Sequence, residues 1–142
     1  MYLDDEFCEF RARSFYIERE KICDVLVLFF KLHLQGWVSL SIGEGVAIFS
    51  HGLREAEYQI VESLDDEFAY PVRVVNSLRK YLDKKISGIY EYRIEGVKEG
   101  CLGIYFDCGD CGLSVLEYDG CLTFTDGMCD FGDKVSLVKR AA

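Results

Sequence analysis

Between residues 25 and 34 apolar and polar positions alternate. Leu26, Leu28, Phe30, Leu32 and Leu34 fall on one side at period two, while Lys31 and His33 fall on the other. That is the pattern of a strand with one buried face. Val38, Leu40 and Ile42 continue it, followed by Val46 and Ile48. Side-chain period fixes strand register. With Gln35-Gly36-Trp37 as a three-residue loop, Leu34 meets Val38, Leu32 meets Leu40 and Phe30 meets Ile42. With Gly43-Glu44-Gly45 as the next loop, Ile42 meets Val46 and Leu40 meets Ile48. Residues 25–50 therefore predict a three-stranded antiparallel meander with one apolar face. Residues 8–19, with Phe10, Phe15, Tyr16 and Ile17 among charges, are compatible with a further strand.

The pattern then changes period. Leu53, Ala56, Ile60 and Leu64 fit helical spacing, although Ala56, Tyr58 and Ile60 also fit a strand; the helix is favoured. Residues 71–86 carry the best helical signature. Pro71 suits a first helical position. Val72, Val75, Leu78, Leu82 and Ile86 form an apolar stripe behind it, and Ser87-Gly88 stops it. Alternation returns at Tyr90, Tyr92 and Ile94, again at Leu102, Ile104 and Phe106, and at Leu113 and Val115. Asp119-Gly120 is a two-residue hairpin signal that pairs Tyr118 with Cys121 and returns through Leu122 and Phe124. The expectation is an α+β domain: an antiparallel sheet of about six or seven strands, with the meander at 25–50 and hairpins at 89–126, packed by one or two helices.

Composition supports a single domain over residues 1–142. Half of the 142 residues are apolar, 14% are aromatic, and only one proline occurs. A chain of this size buries a core without metal or disulfide staples. The start, Met1-Tyr2-Leu3-Asp4-Asp5-Glu6, lacks the basic-then-apolar pattern of a secretory signal. The apolar run from Val25 to Phe30 is far short of the roughly 20 residues that span a bilayer. A cytoplasmic location is expected, and with it reduced thiols at all seven cysteines, an odd number.

The formal net charge is −9, which opposes binding to nucleic acid and to anionic lipid. The acids are also segregated. Between Glu99 and Asp133 lie Asp107, Asp110, Glu117, Asp119, Asp126 and Asp130 with no Lys or Arg among them. A second run, from Glu55 to Glu67, includes Glu62, Asp65 and Asp66 and is equally free of bases. Arg73, Arg79, Lys80, Lys84 and Lys85 lie between the two runs. Complementary fields raise association rates and exclude wrong partners. The carboxylates at 62, 65, 66, 107, 110, 117, 119, 126 and 130 are therefore the expected contacts to a basic protein partner, provided that they converge. Solvation of glycine-containing turns is the plainer use for any single one of them.

Chemistry-bearing motifs are sparse. Asp107-Cys108-Gly109-Asp110-Cys111-Gly112 resembles one knuckle of a zinc ribbon, since two thiolates at this spacing can hold one tetrahedral metal. No second pair exists. Cys129 would be the third sulfur and Asp130 a fourth ligand, so Cys108, Cys111 and Cys129 are only weak metal candidates and no cofactor is assigned. A redox role is opposed by the motif's position between strands, because such motifs usually open a helix. His33 lies on the polar side of a strand and His51 precedes Gly52, and neither has a nucleophile signature nearby. No phosphate-binding loop and no His-Glu-x-x-His occurs, and catalysis is not expected. Adjacent carboxylates such as Asp65-Asp66 rarely converge as glycosidase pairs do. Trp37, in a predicted turn, is either an exposed hot spot or folded back on the sheet.

In size, acidity, lack of catalytic motifs and lack of an export signal, the chain resembles the immunity proteins that bacteria carry against polymorphic or contact-dependent growth inhibition toxins. Phage-encoded inhibitors of host nucleases look similar at this level. The resemblance is to the class and carries over no residue. It implies an inhibitor that occludes the basic active site of a cognate toxin, a nuclease by charge. Two alternatives remain. Type III secretion chaperones are also small and acidic, but commonly begin with a helix, which this N-terminus does not predict. A small metal-binding or redox domain would be built on Cys108, Cys111 and Cys129.

Overall fold

The computed structural model describes residues 1–140 and has eleven strands in two antiparallel sheets. The first sheet contains β1 (Phe7–Ile17), β2 (Glu20–Leu32), β3 (Gly36–Gly43), β4 (Val46–His51), β5 (Phe68–Ala69) and β6 (Val72–Val74). Its order is β4-β3-β2-β1-β5, with β6 also paired to β1. The second contains β7 (Gly88–Ile94), β8 (Cys101–Asp107), β9 (Gly112–Tyr118), β10 (Cys121–Asp126) and β11 (Val135–Lys139), in the order β10-β9-β8-β7-β11. Among the described residues, helix is confined to α1 (Glu55–Tyr58) and a 3₁₀ segment, Asn76–Tyr81. No helix of the described residues is long and apolar enough to cross a membrane.

The expected α+β arrangement is therefore corrected to a two-sheet β fold. The decisive stretch is 71–86. Its stripe is buried at Val72, Val75, Leu78 and Ile86, yet no α-helix forms there. Ser14 N–H donates to the Pro71 carbonyl at 2.9 Å and Val75 N–H to Phe10 O at 2.9 Å, so the backbone of 71–75 is committed to β1. Three of residues 72–75 are valines, which favour a pleated surface. Pro71 thus opens a short strand.

The meander forms with a different register. Phe30 pairs with Val38 and Leu28 with Leu40, so the loop is His33-Leu34-Gln35. The buried Asp5 carboxylate fixes it, accepting from the N–H groups of Leu34 and Gln35 at 2.9 Å each. This shift is even, so the buried face survives. The next turn is different. Gly43 pairs with Val46 and Ile42 with Ala47, leaving Glu44-Gly45 as a two-residue turn with φ of 52° and 75°. Two positive φ values match the twist of a hairpin. A Cβ on Gly45 would lie 1.7 Å from the Glu99 carbonyl oxygen. This shift is odd, so β4 turns over: Ala47 is buried and Ile48 is exposed.

The sheets stack with β10 against β2 and β8 against β3 and β4. Fully buried Phe7, Phe30 and Phe106 meet edge to face, with centroids 5.5–5.6 Å apart. At one corner Cys101 N–H donates to Gly45 O at 2.9 Å. At another, Cys23 of β2 is disulfide-bonded to Cys121 of β10, with Cα atoms 5.8 Å apart. The expectation of seven reduced thiols is corrected at this pair, since residues 98 apart in sequence meet only because β2 and β10 stack. Two straps cover the outer faces. Residues 52–64 cross the first sheet, where Tyr58 stacks on Trp37 at 4.8 Å and Arg11 donates to Tyr58 O at 2.7 Å. Trp37 thus lies on β3 and packs against the strap. Residues 127–134 cross the second sheet, tied by Ser114 Oγ to Gly127 O at 2.6 Å and Cys129 N–H to the Tyr92 hydroxyl at 3.0 Å.

Candidate functional site

The densest charge lies at the end of the molecule that holds the Cys23–Cys121 bond. The β1–β2 turn there is Glu18-Arg19, both at positive φ. Glu18 N–H donates to Glu67 O at 2.8 Å, which brings Asp65, Asp66 and Glu67 beside Glu18 and Glu20. Cys121 opens β10 at the same end, directly after the Asp119-Gly120 turn. The Glu44-Gly45 turn packs on Glu99 at the entry to β8. Four connections therefore deliver Glu18, Glu20, Glu44, Asp65, Asp66, Glu67, Glu99, Glu117 and Asp119 to one end. All but the half-buried Glu117 are exposed. Two of the nearest bases are already engaged: Arg19 with Asp65 at 3.2 Å and Lys21 with Asp24 at 3.4 Å.

The single face expected from 99–133 does not form. Antiparallel hairpins send successive turns to opposite ends. The 108–111 turn and the 119–120 turn are separated by β9, seven residues and about 23 Å of strand. Asp107, Asp110 and Asp126 thus lie at the far end from Glu117 and Asp119. Asp110 pairs with Lys84 at 3.1 Å, and that ammonium holds its carboxyl below the ordinary range. Asp126 accepts from the Tyr81 hydroxyl at 2.5 Å and pairs with Lys80 at 2.9 Å; the two, Tyr81 foremost, lower its pKa. Asp107 caps Gly109 N–H at 2.9 Å. Asp130 caps Gly132 N–H at 2.9 Å on the second strap. Glu62 is exposed beside the Val61–Val72 bridge, outside the acidic end. Of the nine predicted contacts, Asp65, Asp66, Glu117 and Asp119 come together. Glu18, Glu20 and Glu44 join them, and their signal in the sequence was position at a turn rather than density of charge.

Cys108 and Cys111 face each other across Gly109-Asp110, with Cys108 N–H donating to Cys111 O at 2.9 Å. Burial, and next the neighbouring Cys111 thiol, push the Cys108 thiol up to about 12. Burial raises Cys111 as well. A thiol that stays protonated at neutral pH is a poor nucleophile. Cys129 is held at Tyr92, and among the described residues no three His, Cys, Asp or Glu side chains gather to hold a metal ion. The Cys108, Cys111 and Cys129 set is therefore not assembled. At pH 8 Cys108 is expected to react with iodoacetamide more than tenfold more slowly than the exposed Cys8, its rate climbing as pH rises toward 12. Site-resolved mass spectrometry measures this, and equal rates would contradict the buried placement.

A shallow depression of about 290 Å³ adjoins this far end, lined by Ser77, Lys80, Tyr81, Phe124 and Asp126 among others. Burial, then the bond to Asp126, raises the Tyr81 pKa far above that of a free phenol, so Tyr81 stays neutral and donates its proton to a fixed partner. His51 lies 3.4 Å from the Tyr2 hydroxyl, and His33 is exposed. The organised feature is thus electrostatic: a carboxylate-rich end opposite one where Lys80 and Lys84 neutralise the acids beside them. Compared with known protein families, with curated proteins and with solved structures, the chain matches none.

Proposed function

We propose that this chain is a non-enzymatic acidic binding protein, an immunity-type inhibitor whose acidic end docks over the basic active site of a cognate toxin, a nuclease by charge. The observation that supports this is the delivery of nine carboxylates to one end by four separate connections. Like charges held together destabilise the free protein, and a cationic surface relieves that repulsion on binding. The field of such an end speeds encounter with a basic cleft and falls off within about 8 Å at physiological salt. Inhibition is by occlusion. Carboxylates replace substrate phosphates against the partner's lysines and arginines, and the rigid sandwich behind them blocks entry.

The test is co-expression with the product of the neighbouring reading frame in the native genome. That product alone arrests growth, and the wild-type chain restores it. The quadruple variant Asp65→Lys, Asp66→Lys, Glu117→Lys, Asp119→Lys fails to restore growth, and its association rate drops at least tenfold with a weaker salt dependence. The pair Asp107→Lys, Asp110→Lys, at the far end, still protects. Protection by the quadruple variant equal to wild type would remove the acidic end from the mechanism.

A further inference from the structure

Beside the acidic end, the outer face of the first sheet carries an aromatic platform that neither strap covers. Phe15 of β1 stacks on Tyr70 with centroids 5.1 Å apart and planes at 23°, and on Phe68 at 6.3 Å and 14°. Phe68 is 52% exposed and Tyr70 50%. Exposed apolar side chains that are contiguous, rather than scattered singly, are the kind that mark interaction sites. The strand beneath has an open flank: β5 is the edge of its sheet, with β1 as its one strand neighbour. That free edge is short, Phe68–Ala69, before Val61 of the first strap pairs with Val72, and it follows Asp65-Asp66-Glu67 and adjoins Glu18 and Glu20.

We infer that the Phe15–Phe68–Tyr70 platform and the free edge of β5 form the anchoring groove for an extended, arginine-rich segment of the protein partner. The inference rests on the acidic-end reading and adds to it the part of the partner that is gripped. An extended peptide laid along this edge gains only the main-chain hydrogen bonds that Phe68–Ala69 can offer, so the grip comes from alternate side chains that reach the platform and the carboxylate rim. A guanidinium lies flat on an aromatic ring better than an ammonium does, and the next arginine along meets the carboxylate rim. Charge decides against the other occupants. A second copy would bring two acidic rims together, and a lipid surface offers the rim no cations.

The experiment uses the full chain and a fluorescein-labelled peptide, Arg-Val-Arg-Val-Arg-Val-Arg, followed by fluorescence anisotropy at 50 mM salt. Saturable binding that weakens at higher salt is expected. Phe68→Ser and Tyr70→Ser each weaken it at least tenfold, while Phe68→Trp and Tyr70→Phe retain it. Circular dichroism melts of all four variants identify any loss caused by unfolding, and the two aromatic replacements preserve the test if a serine variant does not fold. Wild-type affinity in a folded Phe68→Ser variant, with binding lost in Asp65→Lys, Asp66→Lys, overturns the platform and leaves the acidic end standing. Binding insensitive to the acidic reversals overturns both. No binding at 1 mM protein overturns the inference. So does a dimer in sedimentation equilibrium that Phe68→Ser abolishes, or capture by neutral phosphatidylcholine vesicles that the same substitution abolishes.

Discussion

Replacing Cys121 with serine is expected to lower the free energy of unfolding by about 4 kcal/mol, and reduction of the wild-type protein is expected to do the same. The bond joins residues 98 apart, so in the unfolded chain it closes nearly the whole length between β2 and β10. The chain-entropy estimate for a loop of about 100 residues is about 4.7 kcal/mol at 25 °C, with measured bonds usually somewhat lower. For a domain of this size that is a fall of about 10 °C or more in melting temperature. The folded geometry tolerates the change, because β2 and β10 also pack against each other through other residues. Denaturant melts with and without reductant measure the effect. A direct check precedes them: without reductant, alkylation of the unfolded chain should label five of the seven cysteines. Seven labels would show that no bond is present.

Phe106→Ala is expected to cost about 3–5 kcal/mol, the range for removing a fully buried aromatic ring. Phe106 is 0% exposed and touches Phe7, Phe30 and Phe49, which belong to the opposite sheet. Its loss removes the ring around which the two layers meet and leaves a cavity that neither rigid sheet can close. Ile48→Ala provides the matching control. Ile48 is exposed because the two-residue turn inverts β4, so its truncation should change stability by less than about 0.5 kcal/mol. Under the three-residue turn Ile48 would be a core residue and the same change would cost several times more. Urea melts of the two variants therefore read the register of β4 as well as the weight of the core.

Alternation made most strands legible. The strand over 8–19, the meander and the hairpins from Tyr90 to Phe124 all form, and Tyr118 pairs with Cys121 as the Asp119-Gly120 signal requires. Loop placement was less legible, because a shift by an even number of residues keeps the same faces and leaves no trace in the alternation. The carboxylate that resolves the first loop, Asp5, is 29 residues away from Leu34. The stripe at 72–86 named four buried residues, Val72, Val75, Leu78 and Ile86, with Leu82 only partly buried, and it named the element wrongly. Helical spacing and a strand followed by a 3₁₀ turn bury overlapping sets, and only hydrogen bonds to β1 separate them. The acidic end was half legible. Asp65, Asp66, Glu117 and Asp119 stood out by density, but density along the chain ignores the reversal of direction at every hairpin. That reversal carries Asp107, Asp110 and Asp126 away and brings in Glu18, Glu20 and Glu44 from sparser stretches. Phe15, Phe68 and Tyr70 meet by pairing of β1 with β5, and no local pattern announced it.

The strand order of the second sheet also bears on how the chain folds as it is made. β11 does not join its predecessor; it crosses to the opposite flank and docks on β7. Roughly forty residues are added between the end of β7 and the arrival of β11, so on the ribosome one side of β7 waits uncapped while three later strands assemble on the other. An uncapped strand is the kind of template on which nascent chains mispair, and the second strap is the tether that limits how far β11 must search.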